Sequence, residues 1–138
     1  MDRVIAWEKK SIEGVAVLPA SKSMSNRALI LCALSGGEWP GNLSDSDDTR
    51  VLQEALSTSG NLVNVGHAGT AMRFLTAYFA LKGGIRELTG SERMKQRPIQ
   101  GLVDALRELG ADITYMGEEG FPPLWINSKP LQGGRVLV

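Results

Sequence analysis

Ser21-Lys22-Ser23-Met24-Ser25-Asn26-Arg27 packs three serine hydroxyls, an ammonium and a guanidinium into seven residues. It follows Leu18-Pro19-Ala20 and leads into an apolar run, where a helix is expected to begin. A helix start exposes unpaired backbone N–H groups and partial positive charge. Lys and Arg added there suit a doubly charged anion, a phosphate monoester first among them. A serine-rich cap with two solvated charges is the plainer alternative.

Two further segments have the same character. In Gly66-His67-Ala68-Gly69-Thr70-Ala71-Met72-Arg73, Gly69 lets backbone approach a ligand, Thr70 can cap, and Arg73 follows on a helix. A tight strand-to-helix turn is the alternative. His67 is the lone histidine, and no metal-ligand spacing surrounds it, so no metal is expected. Arg93-Met94-Lys95-Gln96-Arg97-Pro98 sets three cations within five residues, enough to clamp a carboxylate and a phosphate, or simply a basic loop. Asp45, Asp47 and Asp48 read as caps and helix-dipole partners before metal ligands. Neither G-x-x-x-x-G-K-[ST] nor G-x-G-x-x-G occurs, which disfavours nucleotide hydrolases and dinucleotide enzymes.

Strands are expected at Val4–Trp7 and Gly14–Leu18, and a helix over Ser25–Leu34 stopped by Gly36-Gly37. Asn42–Ser44 reads as a brief strand. Ser46-Asp47-Asp48 caps a helix over Thr49–Thr58, and Leu62–Val65 is extended. A helix follows over Ala71–Leu81, then a strand over Ile85–Thr89. Arg97-Pro98 opens a helix over Ile99–Leu109. Ala111–Tyr115, Leu124–Asn127 and Arg135–Val138 alternate like strands. The order repeats: Arg27 to Arg73 is 46 residues and Ser46 to Ser91 is 45. The repeat therefore duplicates an anion-binding helix start as well as a scaffold.

At 138 residues, 43% hydrophobic and 22% charged, the chain suits one globular domain. Fifteen basic and fifteen acidic residues cancel, which argues against a general nucleic-acid surface. The longest strictly apolar run, Ala28–Leu34, is too short to span a membrane, and no signal-peptide pattern opens the chain. Cys32 reads as a buried structural thiol in a reducing, cytoplasmic setting. The chain ends on what looks like an opening strand, so it is expected to be a piece of a longer protein.

Leu18–Leu29, Asn42–Asp48, Ala68–Arg73, Leu88–Ile99, Leu102–Ala111 and Phe121-Pro122-Pro123-Leu124 together resemble the 5-enolpyruvylshikimate-3-phosphate (EPSP) synthase family, in order along nearly the whole chain. The resemblance implies an α+β fold of βαβαββ repeats, with helices packed on mixed sheets. It also implies transfer of the enolpyruvyl group of phosphoenolpyruvate to the 5-hydroxyl of shikimate 3-phosphate, by addition and elimination, with no metal or organic cofactor. By position, Lys22 would touch both substrates and take part in catalysis. Ser23 and Arg27 would hold shikimate 3-phosphate. Gly69 and Arg97 would meet phosphoenolpyruvate, with Arg73 nearby. Residues 1–18 would belong to the family's other globular half, and residues 19–138 to the first two repeats of the shikimate-3-phosphate half, truncated. The missing C-terminal half, as partner, would supply the acids for proton transfer, leaving this piece inactive alone.

Three departures stand out. His67 replaces a usual Asn, Phe74 a common Pro, and the link from Leu56 to Val65 is short. The competing reading is a non-catalytic module for phosphorylated metabolites.

Overall fold

The computed structural model describes residue 11 and residues 13–137. Among the described residues the first element is helix α1 (Lys22–Ser35), followed by α2 (Asp47–Ser57). From there the order is β1 (Leu62–Asn64), α3 (Gly69–Leu81), β2 (Ile85–Thr89), α4 (Glu92–Lys95), α5 (Gln100–Glu108), β3 (Asp112–Tyr115) and β4 (Leu124–Asn127). With the short α4 and α5 taken as one helical segment, Leu62–Asn127 traces one βαβαββ unit.

Its four strands form one mixed sheet in the order β1-β2-β4-β3. β1 runs parallel to β2, while β4 is antiparallel to both β2 and β3. A parallel pair needs a crossover, and α3 supplies it. The register puts Val63 beside Leu88, Leu88 beside Leu124, and Ile113 beside Ile126. All five of these side chains are buried, so they share the face that the helices cover. Leu75 and Phe79 of α3 and Val103 of α5 meet them in the core, joined by Leu29 of α1 and Leu52 of α2. Lys82 Nζ also donates to the Leu34 carbonyl at 2.7 Å, tying the end of α3 to the last turn of α1.

Local cap chemistry follows the sequence repeat. Ser46 accepts Thr49 N–H at the start of α2, and Ser91 accepts Met94 N–H at the start of α4. Both are side-chain caps of the kind serine favours. The helix expected over Ile99–Leu109 forms as α5, and the short α4 before it is an addition to the expected elements. α4 ends after Lys95, and α5 begins only at Gln100. Pro98 lacks an N–H and biases Arg97 away from helical backbone, so the chain breaks between the two.

Strand expectations fare less well in the first unit. Val4–Trp7 lies outside the described residues. Gly14–Leu18 is irregular and exposed, with Val15, Val17 and Leu18 at 94%, 90% and 84% exposure. Asn42–Ser44 is not a strand either, since Ser44 gives its N–H to Ser25 Oγ at 2.9 Å. Residues 135–137 are likewise irregular. An alternating pattern becomes a strand only when another strand takes its hydrogen bonds, and among the described residues these segments have none. Cys32, expected buried, is half-buried. Tyr115, on the edge strand farthest from β1, is pushed above the usual phenol range by burial and then by Asp104, with Arg107 opposing. It stays neutral near pH 7 and serves packing, with Arg107 over its ring.

Gly90 is where the fold is least tolerant of a side chain. An added Cβ would lie 2.8 Å from the Gly66 carbonyl oxygen and 2.7 Å from Met94 Cγ. That carbonyl already accepts Ser91 N–H at 3.0 Å, so the backbone has little room to yield. Gly90→Ala should therefore cost about 1–3 kcal/mol, the usual range for overpacking. A urea melt checks this: the midpoint should fall at constant slope, and an unchanged midpoint would contradict the contact.

Candidate functional site

The loops leaving the carboxyl ends of β1 and β2 lie side by side, which is a common position for a ligand in sheets with parallel strands. Val65 N–H donates to the Thr89 carbonyl at 2.9 Å, extending the pairing past β1. Gly66 turns the chain at φ +55°, helped by Asn64 Oδ1 accepting its N–H at 2.9 Å. Ser91 Oγ lies 2.9 Å from His67 Nδ1 and completes the seam.

α3 starts on this seam. Its N-cap is Ala68, and no side chain caps the helix. The expected capping by Thr70 does not occur, because Thr70 lies inside the first turn and is too late to serve as the cap. The helix thus presents its positive end beside Gly69 without an internal acceptor. Phe74 does not interrupt α3, which runs unbroken from Gly69 to Leu81.

Asp48, His67, Gly69, Thr70, Arg73 and Arg97 line a cavity of about 370 Å³ here. A Cβ built on Gly69 would lie 2.6 Å from Arg97 Nη1, so the glycine is what lets the guanidinium lie against the helix start. Arg73 Nη2 donates to the Pro98 carbonyl at 3.1 Å, bracing the backbone next to Arg97. Arg93 and Arg97 share a neighbouring cavity of about 410 Å³ with His67 and Met94. Lys95 is engaged elsewhere, 2.9 Å from Glu92. Of the three cations in that basic segment, two therefore face a cavity.

The first motif divides its labour. α1 begins at Lys22, earlier than the expected Ser25, with Ser21 as N-cap. Ser25 and Asn26 are buried. Ser25 Oγ accepts Ser44 N–H at 2.9 Å, and Asn26 Oδ1 accepts from Thr49 Oγ1 at 2.8 Å. Two of the three serines thus cap or dock helices. Ser23 remains exposed, with Arg27 Nη1 donating to its Oγ at 2.9 Å. Lys22 and Arg27 are five residues apart, roughly 140° around a helix. They diverge accordingly. Lys22 Nζ lies 3.3 Å from Asp48 Oδ2, at the edge of the Gly69–Arg97 cavity. Arg27 and Arg73 border a separate, apolar groove of about 550 Å³ between α1 and α3, lined also by Leu31, Phe74 and Tyr78.

The structure therefore brings Gly69, Arg73 and Arg97 together and joins Lys22 to them through Asp48. Ser23 and Arg27 form a second pair on α1. Asp48 and the Ser91–His67 contact are the additions that sequence reasoning missed. Asp48 sits in the first turn of α2, where a capping role masked its partner across the fold. No cluster of potential metal-binding side chains occurs among the described residues.

An α+β unit carrying a cationic cleft at an uncapped helix start is the class of structure these features define. The family model for EPSP synthase (3-phosphoshikimate 1-carboxyvinyltransferase) matches residues 52–138. The chain belongs to the EPSP synthase family. It is 56% identical over 137 residues to the 3-phosphoshikimate 1-carboxyvinyltransferase of Bacteroides fragilis, covering 99% of this chain and 33% of the relative. The Haemophilus influenzae relative of the same name is 43% identical over 168 aligned positions, covering 100% of this chain and 39% of its own. Those 168 positions exceed the 138 residues available, so that relative carries insertions this chain lacks. The Bacteroides alignment needs no such allowance, which makes the compact form a shared natural one. The fold matches EPSP synthase from Acinetobacter baumannii with a TM-score of 0.76 at 22% identity, over 89% of this chain and 34% of that one. The chain spans about a third of the length of the curated relatives it matches.

Proposed function

We propose that this chain forms part of an enzyme that transfers the enolpyruvyl group of phosphoenolpyruvate to the 5-hydroxyl of shikimate 3-phosphate, releasing phosphate. The observation that carries the reading is the meeting of Gly69, Arg73 and Arg97 at the uncapped start of α3. Phosphoenolpyruvate carries a carboxylate and a phosphate, and both need charge-assisted donors. Arg97 is the clamp for one of them, and Gly69 leaves room for it. Arg73 positions the Arg97 segment through Pro98. Lys22, held by Asp48 at the cavity edge, reaches toward both substrates and stabilises negative charge as it develops. Ser23 and Arg27 take the phosphate of shikimate 3-phosphate.

Proton transfer falls to acids in the remaining two thirds of the protein. Residues 1–18 belong with that other half in this reading, and the exposed Val15, Val17 and Leu18 support it. The apolar groove between α1 and α3 is a second surface that the remainder covers. The single half-buried thiol, Cys32, agrees with a cytoplasmic setting.

Charge-assisted hydrogen bonds contribute about 1.5–3 kcal/mol each, and micromolar affinity needs roughly 8 kcal/mol after ordering costs. Half a cleft should bind shikimate 3-phosphate in the millimolar range. Amide shifts on titration should centre on Lys22, Ser23 and Arg27, and Arg27→Ala should abolish them. Equal shifts in that variant would remove Arg27 from the site.

A further inference from the structure

His67 lines both cationic cavities, facing Arg93 and Arg97 in one and Asp48, Gly69, Thr70 and Arg73 in the other, with Arg97 common to both. The side chain is exposed, so it is not a packing residue. Its Nδ1 is held 2.9 Å from Ser91 Oγ. The same Oγ accepts Met94 N–H at 3.3 Å. A serine hydroxyl has one proton to give and two lone pairs. With one lone pair taken by Met94 N–H, the arrangement that uses the hydroxyl proton donates it to Nδ1. An accepting Nδ1 leaves the neutral ring its proton on Nε2, on the side of the ring away from Ser91. If the ring is charged instead, Nδ1 donates to Ser91 and Nε2 still carries a proton. Both forms offer the cleft a donor.

We propose that His67 is an additional ligand-binding residue of this cleft, whose Nε2–H, oriented by Ser91, hydrogen-bonds the bound anion. This deepens the reading of the cleft as a phosphoenolpyruvate site and rests on it. Ser91 thereby does more than cap α4, because it also fixes which face of the imidazole meets the ligand. The opposite tautomer would turn an acceptor toward an anion and weaken binding.

Phosphoenolpyruvate titrations of the 138-residue chain, followed by amide and imidazole nitrogen NMR, test this. The free chain should show the neutral His67 ring protonated at Nε2. Ligand should move the Nε2 resonance more than Nδ1. His67→Ala should fold with an unchanged urea midpoint and bind phosphoenolpyruvate about 10- to 100-fold more weakly, the loss expected for one charge-assisted hydrogen bond. Wild-type binding that Arg97→Ala removes but His67→Ala leaves unaltered would overturn the role of His67 while leaving the cleft intact. A ring protonated at Nδ1, or an Nε2 that does not respond, would do the same. Absence of any titration in the wild-type chain would overturn the cleft reading and this one with it.

Discussion

Arg97→Ala is expected to lower kcat/KM for phosphoenolpyruvate by about 10²–10³ in the assembled enzyme, the loss typical when one preorganised charge-stabilising donor is removed. Arg97 borders both cationic cavities, and its guanidinium lies against Gly69 at the α3 start. Two of the nearby cations are already engaged. Arg73 is committed to the Pro98 carbonyl, and Lys95 to Glu92. Arg97→Lys should recover only part of the loss, because an ammonium lacks the planar fork that grips an anion with two parallel bonds. Steady-state kinetics with phosphoenolpyruvate varied would check both variants. A kcat/KM within a factor of about two of wild type would move the anion elsewhere, since so small a change corresponds to less than one hydrogen bond.

Gly69→Ala acts on the same contact from the other side. The new methyl carbon would start 2.6 Å from Arg97 Nη1, whereas ordinary contact begins at 3.4 Å. The obstruction is the far end of a flexible side chain, so the fold survives and the guanidinium moves by about 1 Å. A misplacement of that size can cost about 10²-fold in rate. The expected pattern is a raised KM for phosphoenolpyruvate with the urea midpoint nearly unchanged. An unchanged KM would show that Arg97 can shift without consequence for the ligand. A lowered midpoint with normal KM would make Gly69 a packing residue.

The contrast between Gly69 and Gly90 shows what sequence can and cannot convey. Gly69 stands out because an arginine follows it on a helix. Gly90 does not, although its added Cβ would meet immovable backbone. Cap chemistry is local, so the Ser46 and Ser91 caps are readable from their 45-residue echo. The second unit's strands are legible for a related reason: each alternating segment has a partner in the sheet. Gly14–Leu18 and Asn42–Ser44 alternate as well, but alternation says nothing of whether a neighbouring strand is present. Ser25 looks like a ligand group because its hydroxyl suits phosphate, and nothing local marks Asn26 as a buried docking residue. Their real partners, Ser44 and Thr49, lie 19 and 23 residues away and become visible only once α1 and α2 pack. The Lys22–Asp48 pair is hidden in the same way. Nothing about the spacing of His67 and Ser91 marks them as neighbours; adjacency of the β1 and β2 loops does.

Complementation asks whether this chain can supply its share of an enolpyruvyl-transfer site. The chain would be co-expressed with the segment matching the remaining two thirds of a curated relative, and phosphate release would be followed with shikimate 3-phosphate and phosphoenolpyruvate. Release should need both substrates and both polypeptides, and Arg97→Ala should suppress it. A stable assembly that releases no phosphate, or release by the 138-residue chain alone at the rate of the assembly, would contradict this expectation.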